Sequence, residues 1–383
     1  MIFSSKAFFL FLPVVLFVYH ALLRRREHKY RFLLAASWFF YAWWSVWYVW
    51  VIVLITAIDY YAALRIGASA DERARRRWRT LAVASNLLLL GYFKYTVFFL
   101  ENTVALASLC GLALPELSLK ILLPLGISFH TFQGIGYVMD VYRRQVPAVR
   151  SFVDFALFSA FFPQLVAGPI VRAHEFLPQM KPPPRVGADE VVEGFHWFLS
   201  GLFKKIFIAD WLAQYVAPVY AEPHLYDAAA HWWATLAWTA QIYCDFCGYS
   251  EMAIGCALWF GFRLPRNFRF PYLAGSIADF WRRWHITLST WLRDYLYFPL
   301  GGSRGGMMLA CRNLMITFVL CGLWHGASWN WLLFGVYHGL LMCLHRLWAG
   351  ATKGLAWAER LRENFAYRAL AVAFTFYLVM LGM

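Results

Sequence analysis

Charged side chains are scarce in this sequence. They make up 15% of its 383 residues, whereas about 25% is usual for a soluble domain, and 61% of the residues are hydrophobic. Acidic residues are the scarcer kind, with 21 Asp and Glu against 35 Lys and Arg, and the basic residues stand in short clusters between apolar runs. This distribution excludes an ordinary soluble domain and predicts a multi-pass membrane protein with basic cytoplasmic loops. No nucleic-acid-binding motif accompanies the net charge of +14, so we expect no nucleic-acid partner.

Cysteine is sparse too, and the other ligand residues that a metal site needs are missing near it. The 7 cysteines are scattered, and the C-x-x-C formed by Cys244 and Cys247 has neither a second pair nor a nearby histidine. A structural zinc ion takes four such ligands, so we expect no metal and interpret these side chains as buried, reduced thiols. The alternating ten-residue pattern of a membrane barrel is also missing, which favours spanning helices. The sequence shows no convincing internal repeat.

The apolar runs predict the order of the helices. Residues 32–64 lie between two arginine clusters and are short for two spans of about 20 residues, which predicts a short, tilted or re-entrant hairpin. Residues 152–178 contain Pro163, Gly168, Pro169 and Pro178, which predicts broken helices sheltered by protein or by a water-filled cavity. Further helices are predicted over residues 7–23, 81–100, 121–141, 191–212 and 232–260.

A histidine deep in apolar sequence is the most informative single feature. Residues 314–348 contain His325 but no acidic residue, and their one arginine is Arg346. Counted from Leu314 at about 1.5 Å per residue, a helix would carry the ring about 18 Å into a hydrocarbon core of about 30 Å. Limbs of about 12 and 16 residues, broken near Gly326, are each short of a crossing, so we expect a re-entrant hairpin with His325 near its tip.

Ionisable groups at membrane depth are candidates for function because their burial is costly. A desolvated, neutral imidazole at position 325 would be able to accept a proton, as a general base must. The alternative is a purely structural histidine held by a neighbouring backbone carbonyl. His338 and His345, on the returning limb, fit that structural role better.

Residues 276–299 show the spacing of an amphipathic helix. Apolar residues recur every three or four positions along it: Trp281, Trp284, Leu288, Trp291, Leu292 and Tyr295. Asp279 and Arg283, on the opposite face, are spaced for an ion pair. The pattern predicts one helix lying in the membrane interface, with His285 at the border of its apolar face, one turn from Ser289. An anchoring helix with an incidental histidine is the alternative.

Six segments together resemble the membrane-bound O-acyltransferase family, and the likeness runs along the whole chain. The two most specific are WRRWHITLSTWLRDYLY at 281–297 and LWHGA at 323–327. The others are FYAWW at 40–44, GYFKY at 91–95, PQLVAGP at 163–169 and DFCGYS at 245–250. The resemblance implies a single domain over residues 1–383 that lacks the C-terminal helices of the family. It also implies a many-helix bundle with re-entrant and interfacial helices and a central tunnel, in a bacterial inner membrane.

The resemblance also implies an activity and its residues. His325 matches the family's catalytic histidine and His285 its second functional histidine. An acetyl group would pass from a cytoplasmic thioester, acetyl-CoA or an acylated carrier protein, to an extracytoplasmic hydroxyl, as in alginate O-acetylation, with periplasmic polysaccharide acetyltransferases as partners. His325 would accept the hydroxyl proton, and His285 would orient the reactants or donate to the developing oxyanion. No bound cofactor is expected.

Seven further residues are predicted to line the tunnel: Trp324, Asn330, Ser289, Arg293, Asp245, Tyr249 and His130. The acceptor is left open, since nothing in the sequence identifies the sugar, and cellulose acetylation or teichoic acid D-alanylation would use the same histidines. A lipid or acyl transporter without chemistry is the alternative from another class. Transporters commonly have repeat-related halves, which this sequence does not show.

Overall fold

The computed structural model describes residues 1–112, 119–181 and 184–383. These residues form α-helices with a few π- and 3-10-helical turns, and none of them lies in a strand. The predicted all-α membrane class is therefore confirmed. Within the described part of the chain, 5 helices are long and apolar enough to cross a bilayer: Val46–Ala68, Glu72–Leu109, Met307–His325, Trp329–Ala351 and Phe365–Gly382.

The described chain divides into two compact units. The first contains Met1, Ala7–Pro184 and Trp324–Trp329, and the second contains Ile2–Lys6, Arg185–Leu323 and Asn330–Met383. The earlier helices are α1 (Lys6–Phe17), α2 (Arg26–Ala42), α3 (Val46–Ala68), α4 (Glu72–Leu109), α5 (Ile127–Tyr142), α6 (Phe152–Ala160), α7 (Phe162–Leu165) and α8 (Ala173–Phe176). The later helices are α9 (Ala188–Phe203), α10 (Asp210–Ala221), α11 (Ala228–Trp259), α12 (Ile277–Arg283), α13 (Ile286–Leu292), α14 (Met307–His325), α15 (Trp329–Ala351), α16 (Ala356–Glu363) and α17 (Phe365–Gly382).

The predicted hairpin at residues 32–64 is a pair of longer helices. α2 has 17 residues and α3 has 23, and they are joined by a turn at residues 43–45. The chosen bounds were wrong because α2 begins at Arg26, inside the first arginine cluster, and α3 extends to Ala68. Only α3 of the two has the length and hydropathy of a span, and a re-entrant course for the pair stays a prediction.

α4 is a single helix of 38 residues that contains the predicted span at 81–100. It begins where the Asp71 carboxylate accepts hydrogen bonds from the N–H groups of Arg73 and Ala74, at 3.0 and 3.2 Å. An aspartate in this position satisfies N–H groups that have no partner within the helix. α5 begins later than predicted, after Gly126 in the left-handed region with φ of 73°. A Cβ there would lie 2.3 Å from the Leu165 carbonyl oxygen, so this start requires glycine.

The broken helices predicted for residues 152–178 are present. α6, α7 and α8 are short, and a 3-10 turn over Leu177–Met180 follows them. Their aromatic side chains are fully buried: Phe155, Phe158, Phe161, Phe162 and Phe176. Protein therefore surrounds this irregular backbone, as a membrane protein requires.

In the second unit, α9 and α11 cross at glycines. A Cβ on Gly248 would lie 2.6 Å from the carbonyl oxygen of Gly201, and a Cβ on Gly201 would lie 2.4 Å from the carbonyl oxygen of Gly248. Gly194 and Gly255 form a second close contact between the same helices. A Cβ on Gly194 would lie 3.1 Å from the carbonyl oxygen of Gly255, and a Cβ on Gly255 would lie 2.5 Å from that of Gly194. Small residues let two backbones approach closely, which is a common form of helix packing in membranes. The helices predicted at 191–212 and 232–260 are thus confirmed in type, although α11 lies outside the helices that qualify as spans.

Residues 276–299 do not form one interfacial helix, and that prediction was wrong. The chain breaks between α12 and α13 at His285, whose φ of 42° lies in the left-handed region. The predicted apolar side chains are buried, since all except Tyr295 are at most 7% exposed within the protein. Periodicity identified the buried apolar residues but could not distinguish protein from lipid as what covers them. The ion pair between Asp279 and Arg283 is confirmed, at 2.9 Å.

The predicted limbs around His325 were too short. α14 has 19 residues and α15 has 23, because α14 begins at Met307, before Arg312, and both qualify as spans. At about 1.5 Å per residue α14 is about 28 Å long, close to the thickness of a hydrocarbon core. The break at residues 326–328 is confirmed, and His325 is the last residue of α14. The depth calculated from Leu314 therefore no longer holds, and a re-entrant hairpin stays a prediction.

The α9–α11 crossing gives a first test. We expect Gly248→Ala to destabilise the protein by about 1–3 kcal/mol, because its Cβ would press on the facing backbone. Gly91→Ala in α4 is the matched control, since a Cβ there meets nothing within 4 Å and alanine favours the helix. The measurement is the midpoint of thermal unfolding in detergent. Equal midpoints of thermal unfolding for Gly248→Ala and Gly91→Ala would show that α9 and α11 do not touch at Gly248.

Candidate active site

His285 is enclosed by aromatic rings in the second unit. Its exposed fraction is 0%, and its place between α12 and α13 lets the ring point into the protein. The edge of Phe246 meets the ring at 4.7 Å between centroids, and the ring of Phe268 stacks at 6.5 Å. A histidine buried this completely among apolar rings needs a hydrogen-bonding partner.

That partner is Asn267, in the loop between α11 and α12. Its Oδ1 lies 3.1 Å from His285 Nδ1 and also accepts from the N–H and the hydroxyl of Thr287, at 3.2 and 2.9 Å. Its Nδ2 donates to the hydroxyl of Ser250 at 3.3 Å. The backbone donor identifies Oδ1 as the oxygen, since an amide nitrogen would repel it.

The assignment of Oδ1 decides which nitrogen of His285 carries the proton. An amide oxygen only accepts hydrogen bonds, so Nδ1 must be the protonated nitrogen of the neutral ring. Nε2 then holds the lone pair and is the atom able to accept a proton or a hydroxyl hydrogen bond. Between the two roles predicted for His285, this tautomer favours orienting a hydroxyl over donating to an oxyanion.

A cavity of about 710 Å³ lies within the second unit, and Arg283 and Ile286, on either side of His285 in the sequence, line it. Ser289 and Arg293, both predicted tunnel residues, line it, one on α13 and one in the turn that follows α13. Its apolar wall includes Trp281, Leu288 and Phe318. A pocket of this size, apolar with a few polar groups, is typical of sites for small ligands or cofactors.

The polar wall of the cavity is strongly basic. Four arginines line it against a single carboxylate, that of Asp279: Arg269, Arg282, Arg283 and Arg293. Asp279 lies 2.9 Å from Arg283 and 3.8 Å from Arg282, so one negative charge is shared by two guanidinium groups. Outside the cavity lining, Asp294 bonds Arg293 at 2.7 Å, and this ion pair raises the pKa of Arg293. An excess of arginine suits phosphate groups, which guanidinium binds in a fork.

His325 and Trp324 lie in the first unit, at the end of α14. Trp324 is buried, stacks on Phe132 at 5.2 Å and meets the ring of Phe129 at 5.5 Å. The ring of His325 is half-buried and lies 4.9 Å from the ring of Trp324, edge to face. The packed tryptophan gives the end of the helix a rigid support, while the partial exposure of His325 leaves its ring accessible.

The remaining predicted site residues have other surroundings. His130 is buried, with Nδ1 at 3.2 Å from the Ser159 carbonyl oxygen and Nε2 at 3.2 Å from the Thr56 hydroxyl. Both ring nitrogens thus face neighbours within the bundle, as expected of a structural histidine. His338 is also buried, with Trp281 and Phe334 against its ring.

The last three predicted residues lie away from the basic cavity as the described residues define it. Asp245 is half-exposed and pairs with Lys205 at 2.6 Å. Tyr249 stacks on Phe3 at 4.5 Å, and Asn330 is exposed at the start of α15. Among the described residues, no group of three His, Cys, Asp or Glu side chains could hold a metal ion.

Sequence reasoning gave no role to Asn267, Arg269 or Lys94. Asn267 carries no periodic signal, because it lies in a loop and its partners, His285 and Thr287, are distant in the sequence. Lys94 could have been found: it is the one charged residue in residues 81–100, inside a helix of spanning length. Its ammonium group donates a hydrogen bond to the backbone carbonyl of Trp324.

The Asn267 amide gives a second test. Asn267→Leu would leave the His285 and Thr287 donors without this acceptor, at about 1–3 kcal/mol for each buried group left unsatisfied. We therefore expect a clear fall in the midpoint of thermal unfolding. Asn330→Leu, the same substitution at an exposed position, should melt like the wild type. Equal midpoints for the two variants would contradict the proposed anchoring of His285.

Comparison with known proteins identifies the family of this chain. The family model of the membrane-bound O-acyltransferases matches residues 143–378. The probable alginate O-acetylase AlgI of Azotobacter vinelandii is 45% identical over 350 residues, which cover 90% of this chain and 69% of that protein. The peptidoglycan O-acetyltransferase of Helicobacter pylori is 38% identical over 383 residues, covering 92% of this chain and 72% of that protein.

A more distant relative broadens the range of acyl groups. The teichoic acid D-alanyltransferase of Bacillus subtilis is 28% identical over 274 residues, which cover 67% of each chain. These relatives are named for acyl transfer to three different polymers. The segments at 281–297 and 323–327, with His285 and His325, both fall within the part of the chain that the family model matches. On these findings the chain belongs to the membrane-bound O-acyltransferase family and is an acyltransferase of the membrane.

Proposed function

We propose that this chain transfers an acetyl group from a cytoplasmic thioester to a hydroxyl on the extracytoplasmic side of a bacterial inner membrane. The acceptor is a polysaccharide of the alginate type, or a periplasmic acetyltransferase that passes the group to it. The identity of 45% to an alginate O-acetylase over 90% of the chain supports this acceptor. The observation that supports the chemistry most is His285, buried and oriented by Asn267 beside a basic cavity.

The basic cavity is the proposed place for the acyl donor. Acetyl-CoA and the phosphopantetheine arm of a carrier protein share phosphate groups and a flexible chain that ends in the thioester. Arg269 and Arg282 would bind the phosphates, and the wall formed by Trp281 and Phe318 would accommodate the apolar chain. Arg282 and Arg283 share the carboxylate of Asp279. The positive charge of Arg269 is not balanced in this way, since Arg269 pairs with no carboxylate among the described residues.

The proposed reaction is direct transfer. The hydroxyl oxygen attacks the thioester carbonyl carbon while the imidazole of His325 accepts the hydroxyl proton. The carbon–sulfur bond then breaks, and the thiolate takes the proton back from the imidazolium, which leaves an ester and a free thiol. Nε2 of His285 orients a hydroxyl by accepting its hydrogen bond. Both histidines act as neutral rings at the start of each cycle.

A second acceptor has specific support. The Helicobacter pylori relative, named for peptidoglycan, matches 92% of this chain at 38% identity. Peptidoglycan sugars also carry hydroxyl groups on the extracytoplasmic side, so the same chemistry would apply. A transporter that moves an acyl carrier without chemistry would need neither histidine for covalent transfer, and the following experiment distinguishes it.

Substitution of the histidines tests the chemistry. In membranes given acetyl-CoA with a radiolabelled acetyl group and an acceptor polysaccharide, we expect His325→Ala to lower ester formation by about a hundredfold or more. His285→Ala should lower ester formation severely while acetyl-CoA still binds. His224→Ala, at an exposed position away from the site, is the matched control and should behave as wild type. Retained ester formation in His325→Ala would refute the role of that residue as base.

Charge in the cavity tests the donor site. We expect Arg269→Gln to raise KM for acetyl-CoA by about tenfold, the loss of one charge-assisted hydrogen bond, with kcat little changed. Arg304→Gln, an exposed arginine outside the cavity lining, is the control and should leave KM unchanged. The same KM for both variants would place the donor elsewhere.

A further inference from the structure

Lys94 is an ionisable side chain in the middle of a helix of spanning length. α4 has 38 residues, and Lys94 stands 22 positions after its first residue, within an apolar stretch. No carboxylate pairs with its ammonium group among the described residues. A lysine in such a place is costly, and those that occur mark functional sites or pair with backbone carbonyls.

The partner of Lys94 is the peptide that leads into His325. Its Nζ donates to the carbonyl oxygen of Trp324, lies 3.4 Å from the Ser128 hydroxyl and 5.6 Å from the centroid of the Trp324 ring. The Trp324 carbonyl and the His325 N–H belong to one peptide unit, so this bond acts directly on the backbone of the histidine. The last carbonyls of a helix have no partner within it and form the negative end of its dipole, which favours a cation there.

The same face of α4 also contacts Trp329, the residue that follows the break at residues 326–328. Asn102 accepts a hydrogen bond from the indole N–H of Trp329 at 2.9 Å, and Phe98 packs on the Trp329 ring at 5.9 Å. Lys94, Phe98 and Asn102 are spaced by four residues, which places them on one side of a helix. Residues 324–329, which enclose the break after His325, belong to the same compact unit as α4.

We propose that Lys94 is a positioning residue that fixes the backbone at His325, with Asn102 as the second anchor of the same segment. The proposal rests on the proposed role of His325 as the base. Without the Lys94 bond, the end of α14 loses its cationic partner and the ring of His325 is no longer held where it takes the proton. Because misplacement by about 1 Å can lower a rate by about a hundredfold, the effect should fall on turnover.

The test uses Lys94→Met, which removes the donor but suits an apolar helix. We expect kcat with acetyl-CoA to fall by about tenfold to a hundredfold, with KM and the amount of folded protein little changed. Lys94→Arg restores a cationic donor and should recover most of the loss. Asn102→Leu should lower kcat in the same sense, which keeps the proposal testable if Lys94→Met folds poorly. Lys120→Met, in an exposed loop, is the matched control and should turn over as wild type.

A double variant distinguishes the failure of this proposal from the failure of the proposed function. If Lys94 acts through His325, Lys94→Met should cause no further loss in a His325→Ala background. Full activity of both Lys94→Met and Asn102→Leu, with His325→Ala inactive, would overturn the positioning role and leave the base in place. An active His325→Ala would instead refute the proposed base. Loss of folded protein in Lys94→Met and Lys94→Arg alike, with kcat per folded molecule unchanged, would assign Lys94 a purely structural role and overturn the proposal.

Discussion

Every polar side chain that this chain carries into its apolar helices needs a hydrogen-bonding partner inside the protein, since hydrocarbon offers none. One amide oxygen, that of Asn267, meets this need for both His285 and Thr287 and so determines which nitrogen of the imidazole is basic. In the first unit, the Asn86 amide bonds the buried Asp59 carboxylate at 2.7 Å in a similar way. The orientation of the His285 ring in the candidate site therefore depends on Asn267, a residue that lies in a loop.

Much of the architecture could be predicted from composition and spacing. The low charge and the apolar runs predict spanning helices, the prolines of residues 152–178 predict broken ones, and the i,i+4 spacing predicts the pair of Asp279 with Arg283. These are local signals that hydrophobic burial and helix geometry translate directly into structure. The membership of the family, which short segments predict, is confirmed by the comparison with known proteins.

The parts that could not be predicted depend on distant partners or on backbone conformations that periodicity does not reveal. The left-handed conformation of His285 breaks a spacing that predicts one helix, and nothing local signals it, since the residue is not a glycine. The hydrogen bond of Lys94 joins residues 230 positions apart, and the basic cavity collects arginines from a loop, one short helix and a turn. The limbs around His325 are longer than predicted because α14 begins at Met307, seven residues before Leu314.

We propose that this chain carries out covalent acetyl transfer and does not only transport a ligand. The most direct measurement places the protein in sealed vesicles, with acetyl-CoA labelled in both its acetyl and its nucleotide part outside and an acceptor polysaccharide inside. Covalent transfer predicts that acetyl label accumulates inside as an ester on the polysaccharide while the nucleotide label stays outside on the free thiol. Entry of both labels together, or ester formation only on the side of the donor, would contradict it.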